Sequence, residues 1–154
     1  MKPSWKTYDI GSWEQGVAGC SPLPGHEAGP FRWNYCGICT NPHILGVGSK
    51  GWRIGIFTAK NERGRWVAGL DISFRTAGYG SFPWNRDPNN FPEEWGAQST
   101  MLRKAAAFIE RNSGSNVSCP IPETTAREAL RLISQAIEDI EPKRIPTYTQ
   151  LSLF

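Results

Sequence analysis

Cys36-Gly37-Ile38-Cys39 is a Cys-x-x-Cys step, and three residues separate Cys39 from His43. Cys20 and His26 lie a little upstream. Tetrahedral zinc takes four sulfur or nitrogen donors, and a Cys-x-x-Cys supplies two of them from one tight turn. Cys20 (or His26), Cys36, Cys39 and His43 are therefore a candidate zinc set. A metal would also fold a segment rich in Gly and Pro. The plainer alternative is that both cysteines are small buried residues and both histidines lie in surface loops. A thiol–disulfide exchange role needs a βαβ context that the pattern lacks.

A second chemistry centres on Asp71, within Gly69-Leu70-Asp71-Ile72-Ser73-Phe74-Arg75 and a following Gly78-Tyr79-Gly80. This stretch resembles the first motif of the bacterial Holliday-junction resolvases with an RNase H fold. Gly69, Asp71, Arg75 and Gly78-Tyr79-Gly80 match in register, while Ile72-Ser73 replaces the family's Pro-Gly. The resemblance implies Asp71 as a metal ligand of a DNA nuclease. One carboxylate does not hold a catalytic metal by itself. The partner carboxylates of that family come from a later strand and a C-terminal helix, and no convincing strand follows Gly80. The simpler expectation is Asp71 paired with Arg53 or Arg75 on a polar sheet face.

Lys50, Arg53, Lys60, Arg63, Arg65 and Arg75 gather in one stretch, with Tyr79, Phe82 and Trp84 just beyond. Charge interleaved with aromatic rings suits single-stranded nucleic acid, where phosphates meet cations and bases stack. The alternative is a solvated hairpin whose aromatics pack as core.

The sequence ends Gln150-Leu151-Ser152-Leu153-Phe154. All five residues match the pentapeptide Gln-Leu-(Ser or Asp)-Leu-Phe by which bacterial proteins bind the β sliding clamp of the replicative polymerase. The resemblance covers five residues and implies a partner rather than a fold or a reaction. Polymerases, mismatch-repair proteins and some plasmid initiators carry such peptides. Leu153 and Phe154 suit an apolar pocket, each worth about 1.5–3 kcal/mol on burial before ordering costs. Gln150 would supply directed hydrogen bonds at its rim. The alternative is that Leu151, Leu153 and Phe154 dock on the chain's own core as an edge strand.

The elements that must position these groups follow from patterning. Residues 52–57 and 66–74 alternate as strands around the turn Asn61-Glu62-Arg63-Gly64. Trp52, Ile54 and Ile56 share one face, as do Trp66, Ala68, Leu70, Ile72 and Phe74. Gly55 and Gly69 permit close approach of another backbone or a ligand. Residues 76–96 read as loop. A helix is expected from Pro92 or Glu93 to Asn112, with Trp95, Met101, Leu102, Ala105, Phe108 and Ile109 as its stripe. A second helix is expected to open at Thr124 or Thr125 as N-cap and to stop before Pro142. Residues 141–149 read as an extended linker, and 1–50 as mostly irregular.

Composition bounds the function classes. The chain has 154 residues, 39% hydrophobic and 20% charged, with a net charge of +3. A coiled coil and a highly charged disordered chain are excluded. No apolar run reaches the roughly 18 residues of a membrane helix. No secretory signal is visible, so the four cysteines are expected reduced and the protein cytoplasmic. Residues 1–80 carry nine Lys/Arg against five Asp/Glu, which permits nucleic-acid contact without demanding it.

The expected fold is α+β: a small antiparallel sheet packed with two helices, after a loop-rich N-terminal segment. Residues 1–140 form the domain, and 141–154 the linker and clamp-binding tail. Because no complete catalytic set is legible, an accessory or inhibitor protein of DNA replication or repair is expected before an enzyme. The clamp is its expected partner, with DNA and zinc as further candidates.

Overall fold

The computed structural model describes residues 22–28, 31–49 and 51–142. Its centre is a four-stranded antiparallel sheet of β3 (His43–Ser49), β4 (Trp52–Lys60), β5 (Trp66–Phe74) and β6 (Ala77–Gly80), ordered as in the chain. A separate pair is formed by β1 (Pro22–Ala28) and β2 (Phe31–Asn34), antiparallel with a register shift between Pro22 and Glu27. Two helices follow, α1 (Glu94–Arg111) and α2 (Glu123–Ile140). The α+β architecture expected from patterning is the one observed.

Alternation along β4 and β5 builds the main core. Register places Ile54 opposite Ile72 and Ile56 opposite Leu70. Trp52 stacks on Phe74 with centroids 5.8 Å apart. All six side chains are buried with Ala97, Met101, Leu102, Ala105 and Ile109 of α1. The spacing of those α1 residues is one helical stripe, and it lies on β4 and β5. α2 packs on α1 through Ala126, Ala129, Leu132, Ile133 and Ala136, of which the three alanines permit close approach.

The opposite face of the sheet is also covered at one end. Phe57 is fully buried there, and Phe31, Trp33, Cys39, Ala59 and Val67 form a second cluster.

Several boundaries differ from expectation for identifiable reasons. β1, β2 and β3 occupy part of a segment read as irregular. Gly46 and Gly48 blur the alternation of β3, which gains its order from seven partners on β4. β6 lies in a stretch read as loop because two of its four residues are glycine. α2 starts at Glu123 behind Pro122, with no side-chain cap, so neither Thr124 nor Thr125 is its N-cap. A proline suits that position because it presets φ and lacks a donor to satisfy. Trp95 is exposed rather than part of the α1 stripe.

Candidate functional site

Two loops in this fold are built alike. In the first, Asn34 N donates to Ile38 O at 2.8 Å, and Gly37 N to Asn34 O at 2.9 Å. The Asn34 Oδ1 accepts from Cys36 N at 2.9 Å and Ile38 N at 3.0 Å. In the second, Asn61 N donates to Arg65 O at 2.8 Å, and Gly64 N to Asn61 O at 3.0 Å. The Asn61 Oδ1 accepts from Arg63 N and Arg65 N, both at 3.0 Å. Gly37 and Gly64 take φ of +81° and +72°, which closes each turn in a conformation that glycine reaches without a Cβ clash. A buried asparagine thus replaces, for each turn, the partners that its backbone donors would otherwise lack.

The segment 82–91 ties these turns together. Asn85 N donates to Gly37 O at 2.8 Å. Its own carbonyl accepts from Asn61 Nδ2 at 3.2 Å, and its Oδ1 from Glu62 N at 3.4 Å. Further along, Arg65 Nε donates to Asn90 Oδ1 at 2.9 Å, and Phe91 exchanges backbone bonds with Trp66.

Between the turns and this segment lies an open concavity of about 810 Å³. Tyr35 and Trp84 line it, exposed by 76% and 43%. Arg63 and Arg86 stand at its edge with Glu62 and Asp87. Trp33 and Asn34 line it from the buried side. Here the two turns diverge: Asn61 Nδ2 is satisfied by Asn85, while Asn34 Nδ2 and Trp33 Nε1 are buried without a partner among the described residues. Each such orphaned donor costs about 1–3 kcal/mol.

The residues singled out by sequence fall in different places. Cys36 is exposed on the first turn, while Cys39 is fully buried in the second cluster. The Cys39 Sγ lies 3.6 Å from Asn41 Oδ1, and burial pushes its thiol up to about 11. His43 Nδ1 stands 3.0 and 3.1 Å from the two carboxylate oxygens of Glu94, and its ring meets Phe31 and Trp66. Cys39 belongs to the cluster that holds Phe31 and Trp66, the two rings His43 meets, but among the described residues no three His, Cys, Asp or Glu gather as a metal site. Cys20 lies outside the described residues, and His26, its alternative in that set, falls on β1.

Asp71 Oδ2 accepts from Arg53 Nε at 2.8 Å, the simpler of the two expectations for it. The basic residues divide between the ends of the hairpin. Arg53 and Arg75 lie at one end, Lys60, Arg63 and Arg65 at the other. Arg53 and Lys60 are seven residue steps apart along the strand, about 23 Å at the usual rise. Lys50 and the pentapeptide Gln150, Leu151, Ser152, Leu153 and Phe154 lie outside the described residues.

Gly69 bears out its expected role. A Cβ there would lie 2.5 Å from Ser81 O and 2.8 Å from Phe82 Cα, so the strand admits the chain that crosses it.

None of Tyr35, Arg86, Asn34, Asn85 and Trp33 reads as a site residue from sequence. The signal for the two turns is the repeated Asn-x-x-Gly at 34–37 and 61–64. Compared with protein-family models, with curated proteins and with solved structures, the chain gives no match.

Proposed function

We propose that this chain is a sliding-clamp-binding accessory protein that docks through Gln150, Leu151, Ser152, Leu153 and Phe154. The observation that carries the reading is the pentapeptide itself, which agrees with the clamp-binding pattern at all five positions.

Two features of the fold support it. α2 ends at Ile140, and Glu141 continues in extended backbone with φ −66° and ψ 135°. The Glu141 carboxylate accepts from Ser99 Oγ at 2.6 Å and Arg103 Nη2 at 2.7 Å, which fixes the point where the chain leaves the helices. Eight residues then precede Gln150, including Pro142 and Pro146. They set an upper limit of about 30 Å on the reach of the peptide from that point. Docking on the clamp would place the body beside DNA or deny the pocket to a polymerase.

The test is calorimetry of the full chain against purified bacterial sliding clamp. Micromolar binding is expected. A Leu153→Ala, Phe154→Ala double variant is expected to bind at least 100-fold more weakly, since two buried apolar side chains are lost. Absence of binding by the unaltered chain, or full binding by the double variant, overturns the reading.

A further inference from the structure

We propose that the concavity between the Asn34 and Asn61 turns binds an unpaired segment of a nucleic-acid strand. The proposal does not depend on the clamp reading, since it concerns a different surface and a different partner.

The lining fits the chemistry of a nucleotide in three respects. First, Tyr35 and Trp84 present aromatic surface to solvent at the site. Exposed rings beside guanidinium groups are platforms for base stacking, and only an unpaired base has a free face to offer. Second, the Arg63 and Arg86 guanidiniums make no salt bridge among the described residues. Such groups meet phosphate oxygens with paired hydrogen bonds. Third, two N–H donors on the buried side, Trp33 Nε1 and Asn34 Nδ2, lack acceptors among the described residues. The twin turn shows what is missing, because Asn61 Nδ2 has a carbonyl oxygen as its partner. A carbonyl or phosphate oxygen of a ligand would take the equivalent place beside Asn34.

The carboxylates narrow the class further. Glu62 and Asp87 also line the concavity, and a compact polyanion would be repelled by them. A nucleotide strand carries donors as well as acceptors, on base edges and sugar hydroxyls, and can face both charge types. A volume of about 810 Å³ is of the size that holds small organic groups.

This surface differs from the one the basic residues of the hairpin suggest in sequence. Arg63 is common to both, but Arg53 and Arg75 stand at the far end of the sheet.

The test is fluorescence anisotropy of the full chain with labelled 12-nucleotide strands of mixed sequence, one DNA and one RNA, and with the corresponding 12-base-pair DNA duplex. Binding of either strand, with the duplex at least tenfold weaker, is expected. Tyr35→Ala should weaken strand binding about tenfold, as loss of one stacking platform does. Arg63→Ala and Arg86→Ala should each lower the slope of log affinity against log salt by about 0.7, the loss of one phosphate contact on a single strand. Arg75→Ala should leave affinity and slope unchanged. If an arginine variant fails to fold, Tyr35→Ala still decides, because that side chain is largely in solvent and its loss leaves the core intact. No binding of either strand overturns the proposal. So does equal binding of the duplex, or Tyr35→Ala binding as tightly as the unaltered chain.

Discussion

Arg53 of β4 and Asp71 of β5 are diagonal neighbours across the sheet, joined Nε to Oδ2 at 2.8 Å. Asp71 is the more enclosed of the two, with its side chain 16% exposed against 41% for Arg53. The pair links strands on the face away from the helices. It also separates two accounts of Asp71, as half of an ion pair or as one of several carboxylates awaiting a metal.

Asp71→Asn tests that difference by the sign of its effect. Loss of a half-exposed ion pair should cost about 1 kcal/mol, a fall of roughly 2–4 °C in Tm. A carboxylate held among other carboxylates would behave oppositely, because removing its charge relieves repulsion. Thermal unfolding of the two proteins, followed by circular dichroism, gives the answer.

Gly69→Ala should be among the most damaging single substitutions in the sheet. The added methyl meets backbone atoms of Ser81 and Phe82 closer than 3 Å, and backbone cannot rotate away as a side chain can. About 2–3 kcal/mol is expected. Gly80→Ala is the matched control, since nothing lies within 4 Å of its added Cβ. Urea titration should show the control within about 0.5 kcal/mol of the original.

Thr58→Val should raise stability. The Thr58 hydroxyl is buried on β4 without a hydrogen-bond partner among the described residues, and valine has the same branched shape without the polar atom. Removing an unsatisfied buried group is worth about 1 kcal/mol, read as a rise in the urea midpoint at constant slope.

Thiol labelling should divide the cysteines by position. Cys36 and Cys119 are exposed and should react with iodoacetamide in the folded protein. Cys39 is fully buried and should react only on unfolding. Raising the pH to 9 should not open it, because with its thiol pushed up to about 11 only about 1% is thiolate there. The unfolded thiol ionises at 9.0, so between 9 and 11 the unfolded chain has lost a proton that the folded one keeps. This group's contribution to stability is therefore full below pH 9 and falls as pH rises toward 11. Peptide mapping of labelled protein checks the pattern.

The hairpin and both helices were legible because their apolar residues recur at the period of the element. Ile54, Ile56, Leu70 and Ile72 read as one face in sequence and pack as one face in the fold. β3 and β6 were less legible, since glycines remove the side chains that would show alternation. The turn at 61–64 could be read from Asn and Gly alone. Its twin at 34–37 overlaps Cys36, so the same spacing was open to a metal reading. The concavity itself was not legible. It exists only where segment 82–91 is bonded to turns 23 or more residues away, through bonds such as Asn61 to Asn85 and Glu62 to Asn85. The pairing of Asp71 was legible as a choice between Arg53 and Arg75; that Arg53 takes it, and the separation of basic residues along a strand, are facts of register.

The order β3-β4-β5-β6 in the sheet is the order of the chain. Each of these strands hydrogen-bonds to the one before or after it through a short connection, and α1 and α2 are neighbours in the same sense. The consequence is kinetic. No strand must wait for a distant segment before its ladder can form, so the loop-closure entropy met at each step is small. The four strands should zip by successive hairpins, on the order of milliseconds rather than seconds, and the slower event should be the docking of α1 across β4 and β5.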